Sequence, residues 1–95
     1  MPDEQTISSD TIADVQGRIA LVFPNPSVSA FMLSLKSSKK EDVEILVMDV
    51  VGHALYHTRG AATATYQFGG NFIKGMYFIQ ILYTDGTKVL KAIRQ

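Results

Sequence analysis

Ninety-five residues suffice for one domain and one modest core. The chain has no cysteine, which excludes disulfides, thiolate chemistry and cysteine-ligated zinc, and its apolar share of 46% excludes a disordered polymer. The formal charge of zero conceals an asymmetry: residues 1–17 carry −4 (Asp3, Glu4, Asp10, Asp14) and residues 18–95 carry +4. A mildly basic domain behind an acidic leader suits an anionic partner, or simply solubility.

No apolar run approaches the roughly 20 residues that cross a bilayer. Met1-Pro2-Asp3-Glu4-Gln5 has neither a basic patch nor an apolar stretch behind it, so no export signal is legible there; if the native protein is exported, this chain is a fragment of it. Residues 1–17 are polar, with scattered Ile7, Ile12, Ala13 and Val15. They read as a flexible acidic linker, with at most a turn of helix over 9–15.

From Arg18 the pattern changes. Residues 19–23 are a short apolar strand, stopped by Pro24-Asn25-Pro26, because neither proline can donate to a ladder. Phe31, Leu33 and Leu35 alternate with Met32, Ser34 and Lys36, which predicts a half-buried strand. Residues 37–42 form a solvated turn. Val43, Ile45 and Val47 are the next inward set, and Asp49-Val50-Val51-Gly52 has the composition of a type I turn. Strands follow at 54–59, closed by Gly60, and at 63–68, broken by Gly69-Gly70-Asn71. The longest runs over 75–83, with Tyr77, Ile79, Ile81 and Tyr83 on one face. Asp85-Gly86 signals a hairpin, and 88–94 is the last strand.

Seven short strands with turn chemistry between them and no helical period predict an all-β fold. It should be a seven-stranded antiparallel immunoglobulin-like β-sandwich with Greek-key connections over residues 18–95. Hairpins should join the third to the fourth strand and the sixth to the seventh. The other connections should cross between sheets.

Catalytic chemistry finds no purchase. His53 and His57 are four apart, but they flank a turn and a strand rather than a helix, and no third metal ligand is evident. There is no Ser/His/Asp set, no paired carboxylates, no phosphate-cradling glycine loop and no nucleic-acid signature. The expectation is a non-enzyme without cofactor, metal or nucleic-acid partner. Gly52 and Gly75 read first as backbone geometry, Pro24 and Pro26 as a strand stop, and Tyr77 as a core ring whose hydroxyl finds a backbone partner. Lys88, Lys91 and Arg94 read equally as an edge strand blunted by charge or as a recognition strip. Leu46, Met48 and Val50, with Met76, Phe78 and Leu82, would make an apolar outer face, of the kind a partner, a second copy or a loop covers.

Three landmarks occur in order: Pro24-Asn25-Pro26 after an apolar strand, Asp49-Val50-Val51-Gly52 after another, and Gly75-Met76-Tyr77 opening a third, with Lys88, Lys91 and Arg94 in the last strand. Together they resemble the type A C-terminal sorting domain of the type IX secretion system of Bacteroidetes. The family commonly has Arg or Lys where His53 follows Gly52. The resemblance implies a label at the end of a cargo protein, carried through the periplasm and recognised by the outer-membrane translocon and its shuttle proteins. A cell-surface sortase would then remove it, leaving cargo on the surface or secreted. It implies recognition through Pro24, Asn25, Pro26, Asp49, Gly52, Gly75, Tyr77, Lys88, Lys91 and Arg94. By analogy the cut falls near Val15, Gln16, Gly17 and Arg18. The competing expectation is an accessory immunoglobulin-like or fibronectin-like module, a spacer or carbohydrate binder. Against the latter, there is no Trp and the four Tyr are explained by strands. Exchangeable edge strands also allow a homodimer.

Overall fold

A computed structural model describes residues 17–95 fully and residues 10–13 in backbone. Eight strands form two sheets: β1 (Asp10–Ala13), β2 (Ile19–Phe23), β3 (Phe31–Lys36), β4 (Asp42–Asp49), β5 (Ala54–Ala61), β6 (Thr65–Phe68), β7 (Gly75–Tyr83) and β8 (Gly86–Arg94). One sheet runs β1-β2-β3-β6 and the other β5-β4-β7-β8, and every pairing within them is antiparallel. The architecture is the immunoglobulin-like sandwich, and the seven strands expected from the sequence are β2 to β8.

Alternation decides which residues meet. Ala20 and Val22, Phe31, Leu33 and Leu35, and Phe68 from the first sheet are buried against Val43, Ile45 and Val47, Tyr77, Ile79 and Ile81, and Leu90 and Ala92 from the second. Each such large aliphatic contributes about 1.5–3 kcal/mol by leaving water. With no disulfide, this layer and the ladders hold the fold.

Four local readings change. Asp10–Ala13, read as linker, pairs in register with Ile19–Val22 as an edge strand and lies beside β8 of the opposite sheet. The β2–β3 connection stays within its sheet instead of crossing, while β3–β4, β5–β6 and β6–β7 do cross. Gly60 does not end β5; it lies inside the strand beneath the Tyr66 ring, whose hydroxyl donates to the Ala61 carbonyl at 2.7 Å. The last hairpin turns at Thr84-Asp85, because Tyr83 already pairs with Gly86.

The connections segregate. Residues 24–30, 50–53, 69–74 and Gln95 lie at one end of the sandwich, since Phe31 pairs with Phe68, Asp49 with Tyr77, and Gly75 with Arg94. Gly17, Arg18, residues 37–41 and the Thr84-Asp85 turn lie at the other.

Candidate functional site: one end of the sandwich gathers the motifs

Pro24-Asn25-Pro26, Asp49-Val50-Val51-Gly52 and Gly75-Met76-Tyr77 are scattered over half the chain, yet they converge on the same end. The two prolines do more than stop β2. The segment they bracket turns towards β8, an edge strand of the other sheet. Asn25 Nδ2 donates to the Lys91 carbonyl at 2.7 Å, and Asn25 Oδ1 accepts from the Ile93 N–H at 2.9 Å. Ser27 continues the pairing: its N–H donates to the Ile93 carbonyl at 2.9 Å, and its carbonyl accepts from the Gln95 N–H at 2.7 Å. Ser27 and Arg94 thus form a parallel bridge, and the end of β8 is covered rather than open.

The Asp49 turn is fixed by its own carboxylate. Oδ1 accepts from the N–H groups of Val51 and His53 at 3.0 and 2.9 Å, and the Gly52 N–H donates to the Asp49 carbonyl at 3.1 Å. The backbone hydrogen bond from His53 is the main reason the Asp49 carboxyl titrates below the usual aspartate range. Gly52 takes φ +94°, a conformation a Cβ disfavours although the space around it is open. Gly75, at φ +153°, lets the chain leave residues 69–74 straight into β7.

Tyr77 behaves as the sequence suggests. Its ring is buried and packs on Phe72 at 4.6 Å between centroids, and its hydroxyl donates to the Ile73 carbonyl at 2.6 Å. Phe72 continues the stack to Phe68, which packs on Phe31 and Tyr56. All four tyrosines are drawn towards the interior: Tyr77 and Tyr83 are buried, and Tyr56 and Tyr66 pack half-buried against the core.

The basic residues of the last strand do not form one strip. Lys88, Leu90, Ala92 and Arg94 share one face of β8 and Lys91 lies on the other. Lys88 and Arg94 sit about 20 Å apart along the strand. Arg94 turns back to the Gly69 carbonyl at 3.4 Å, and Lys91 is exposed. The two histidines also separate: His53 Nδ1 meets Asp49 at 3.1 Å, and His57 meets Glu44.

The apolar outer face exists on the second sheet. Leu46, Met48, Phe78 and Leu82 are half-buried, Met76 and Ile93 are exposed at its motif end, and Lys91 borders it beside Phe78. Val50 does not belong to it; it lies in the turn beyond β4.

At the opposite end, Arg18 proves to be an anchor that its sequence context did not reveal. Its guanidinium makes a bidentate pair with Glu41, both contacts at 2.9 Å, reaches Asp85 at 2.8 Å, and lies 4.3 Å over the Tyr83 ring. Only 4% of the Arg18 side chain is exposed. The Arg18 hydrogen bonds hold the Glu41 and Asp85 carboxyls below their ordinary ranges, and the Glu41 bond raises the Arg18 pKa in turn. Glu41 is therefore no member of a solvated turn. Of the expected cut region, Val15 and Gln16 lie outside the described residues, Gly17 forms a φ +79° bend against Ser38, and Arg18 is locked into the fold.

The sequence profile of the secretion system C-terminal sorting domain matches residues 21–95. The chain belongs to that family. The match begins two residues into β2 and covers every strand from there on. No curated protein matches the chain. The sorting domain is a type IX secretion signal rather than a catalytic unit, and it implies export of attached cargo across the outer membrane to the surface or the medium.

Proposed function

We propose that this sorting domain is read, as a folded unit, at the end where its three motifs converge, and is then removed from its cargo. The observation that carries the reading is the convergence itself. Pro24, Asn25, Pro26, Asp49, Gly52, Gly75 and Tyr77 spend their chemistry on shaping one end. That end adjoins the apolar face of Met48, Met76, Phe78 and Ile93, with exposed Lys91 beside it.

In this account the motif residues are positioning residues. They fix the loops and the β8 terminus that flank the apolar outer face, and the translocon and its shuttle proteins touch that face. Met and Phe on the outer face of this sheet are residue types that protein interfaces favour. Arg94 supports the same end through residues 69–70, whereas Lys88 lies too far along β8 to take part. The domain crosses the periplasm folded, presenting this end while its cargo leads from the other.

The same polarity supports removal by a surface sortase. The cargo joins at the Arg18 end, away from the recognition end, so a protease can act while the motifs remain engaged. Burial of Arg18 supports a cut on its cargo side. The test is a reporter fused ahead of residues 1–95 in a host that carries a type IX system, recovered from the surface and weighed intact. The mass should end before Arg18. Recovery of reporter that still carries residues 19–95 contradicts removal.

A further inference from the structure

The motif end carries a second feature that the sorting role leaves unexplained. Val28, Val50, Val51 and Ile73 occupy the tips of three separate loops there, between 62% and 81% exposed. Each is held out by a fixed neighbour. Ser27 is clamped to β8 on one side of Val28, and its hydroxyl donates to the Ala30 carbonyl at 2.9 Å. Asp49 fixes the Val50-Val51 turn. Ile73 follows Phe72, whose ring is stacked inward on Tyr77, and its own carbonyl is held by the Tyr77 hydroxyl. Four exposed branched aliphatic side chains gathered at one end of the sandwich mark that end as a contact surface.

The exposed lysines around the tips outnumber the side-chain carboxylates. Lys74 is exposed next to Ile73, and exposed Lys91 lies on the adjoining sheet face. Asp49 is the one side-chain carboxylate at this end among the described residues, and it is occupied by two N–H groups and the His53 ring. Arg94 is occupied with the carbonyls of Gly69, Gly70 and Gln95. Glu41, Asp42 and Asp85 all lie towards the opposite end. The aromatic residues here, Phe31, Phe68, Phe72 and Tyr77, stack inward rather than outward. The tips therefore lack the Trp, Tyr and Arg anchors that dominate protein hot spots. Separate aliphatic points with a cationic border suit a fluid apolar phase beneath anionic headgroups.

We propose that this end docks on an anionic phospholipid bilayer. Val28, Val50, Val51 and Ile73 enter the interface, while Lys74 and Lys91 meet the headgroup phosphates. The proposal does not depend on the sorting role, since its test contains no secretion machinery.

The test is co-sedimentation of the full chain with vesicles of mixed phosphatidylglycerol and phosphatidylcholine, and with vesicles of phosphatidylcholine alone. Binding should favour the mixed vesicles and fall with added salt. Lys74→Gln should weaken it about fivefold, the equivalent of one interfacial lysine. Val51→Asp with Ile73→Asp should abolish it at unchanged Tm, the positions being exposed. Ile73→Trp should show a blue-shifted emission on the mixed vesicles. Absence of binding to mixed vesicles overturns the proposal. So does binding that survives Val51→Asp with Ile73→Asp, which would leave charge attraction alone. Loss of export by that double variant, with no vesicle binding by the parent, would mean that the tips meet protein instead and would also overturn it.

Discussion

Asn25 serves β8 as a strand neighbour would. Its side-chain amide donates to the Lys91 carbonyl and accepts from the Ile93 N–H, at 2.7 and 2.9 Å, across 66 and 68 residues of sequence. A single side chain thus ties the end of the first sheet to the edge of the second. Asn25→Ala leaves a donor and an acceptor of β8 without these partners and should cost about 1–3 kcal/mol in urea denaturation. Amide exchange at Ile93 should quicken more than at Ile79 in the core. Unchanged protection at Ile93 would show that the clamp does not hold β8.

Gly52 offers a cleaner case, because its cost is purely conformational. No atom lies within 4 Å of the position a Cβ would take, yet φ is +94°. Gly52→Ala should therefore lower stability by roughly 1–2 kcal/mol, and Gly52→Asn by less, since Asn tolerates left-handed backbone. Equal effects from the two substitutions would point to a lost contact instead.

The Arg18 network makes a proteolytic prediction. Arg18 is the first basic residue of the chain, so trypsin acting there would sever the leader. The bidentate Glu41 pair and the Tyr83 stack should make this bond slower to cut than those after exposed Lys39 and Lys40. Glu41→Gln should speed it. Mass analysis of a timed digest reads both. Early cutting at Arg18 in the parent chain would contradict the anchor.

The same carboxylates set the acid limit. Arg18 lowers the pKa of Glu41 and Asp85, and His53 backbone bonding lowers that of Asp49. A folded pKa below the unfolded one gives stability that is present above the unfolded value and is lost as pH falls through the folded value. Tm should therefore hold steady from neutral pH down to about 5 and fall below about pH 4, where free carboxylates titrate. A Tm that rises on acidification to pH 3 would contradict these assignments.

The sandwich was largely legible because its physics is local. Alternation along residues 31–36, 43–47 and 77–83 names the inward side chains, and Asp49-x-x-Gly52 names its turn. What escaped depends on distant partners. Asp10–Ala13 has little composition to mark it as a strand; its pairing with β2 does so. Nothing near Arg18 announces Glu41 or Asp85, and nothing in Pro24-Asn25-Pro26 points to residues 91–95. The spread of the basic residues over two faces escaped differently. Alternation along β8 already separates Lys91 from Lys88 and Arg94, but closeness in sequence disguised it.

The central claim, that a folded sorting domain is read at its motif end, is tested most directly by export of a fused reporter. The parent chain is compared with Met76→Asp, Phe78→Asp, a pair on the outer face chosen to leave the core untouched. Reporter should reach the surface or the medium for the parent, and folded fusion should be retained in the periplasm for the variant. A parent fusion that stays in the periplasm, or a folded variant exported as well as the parent, would contradict it.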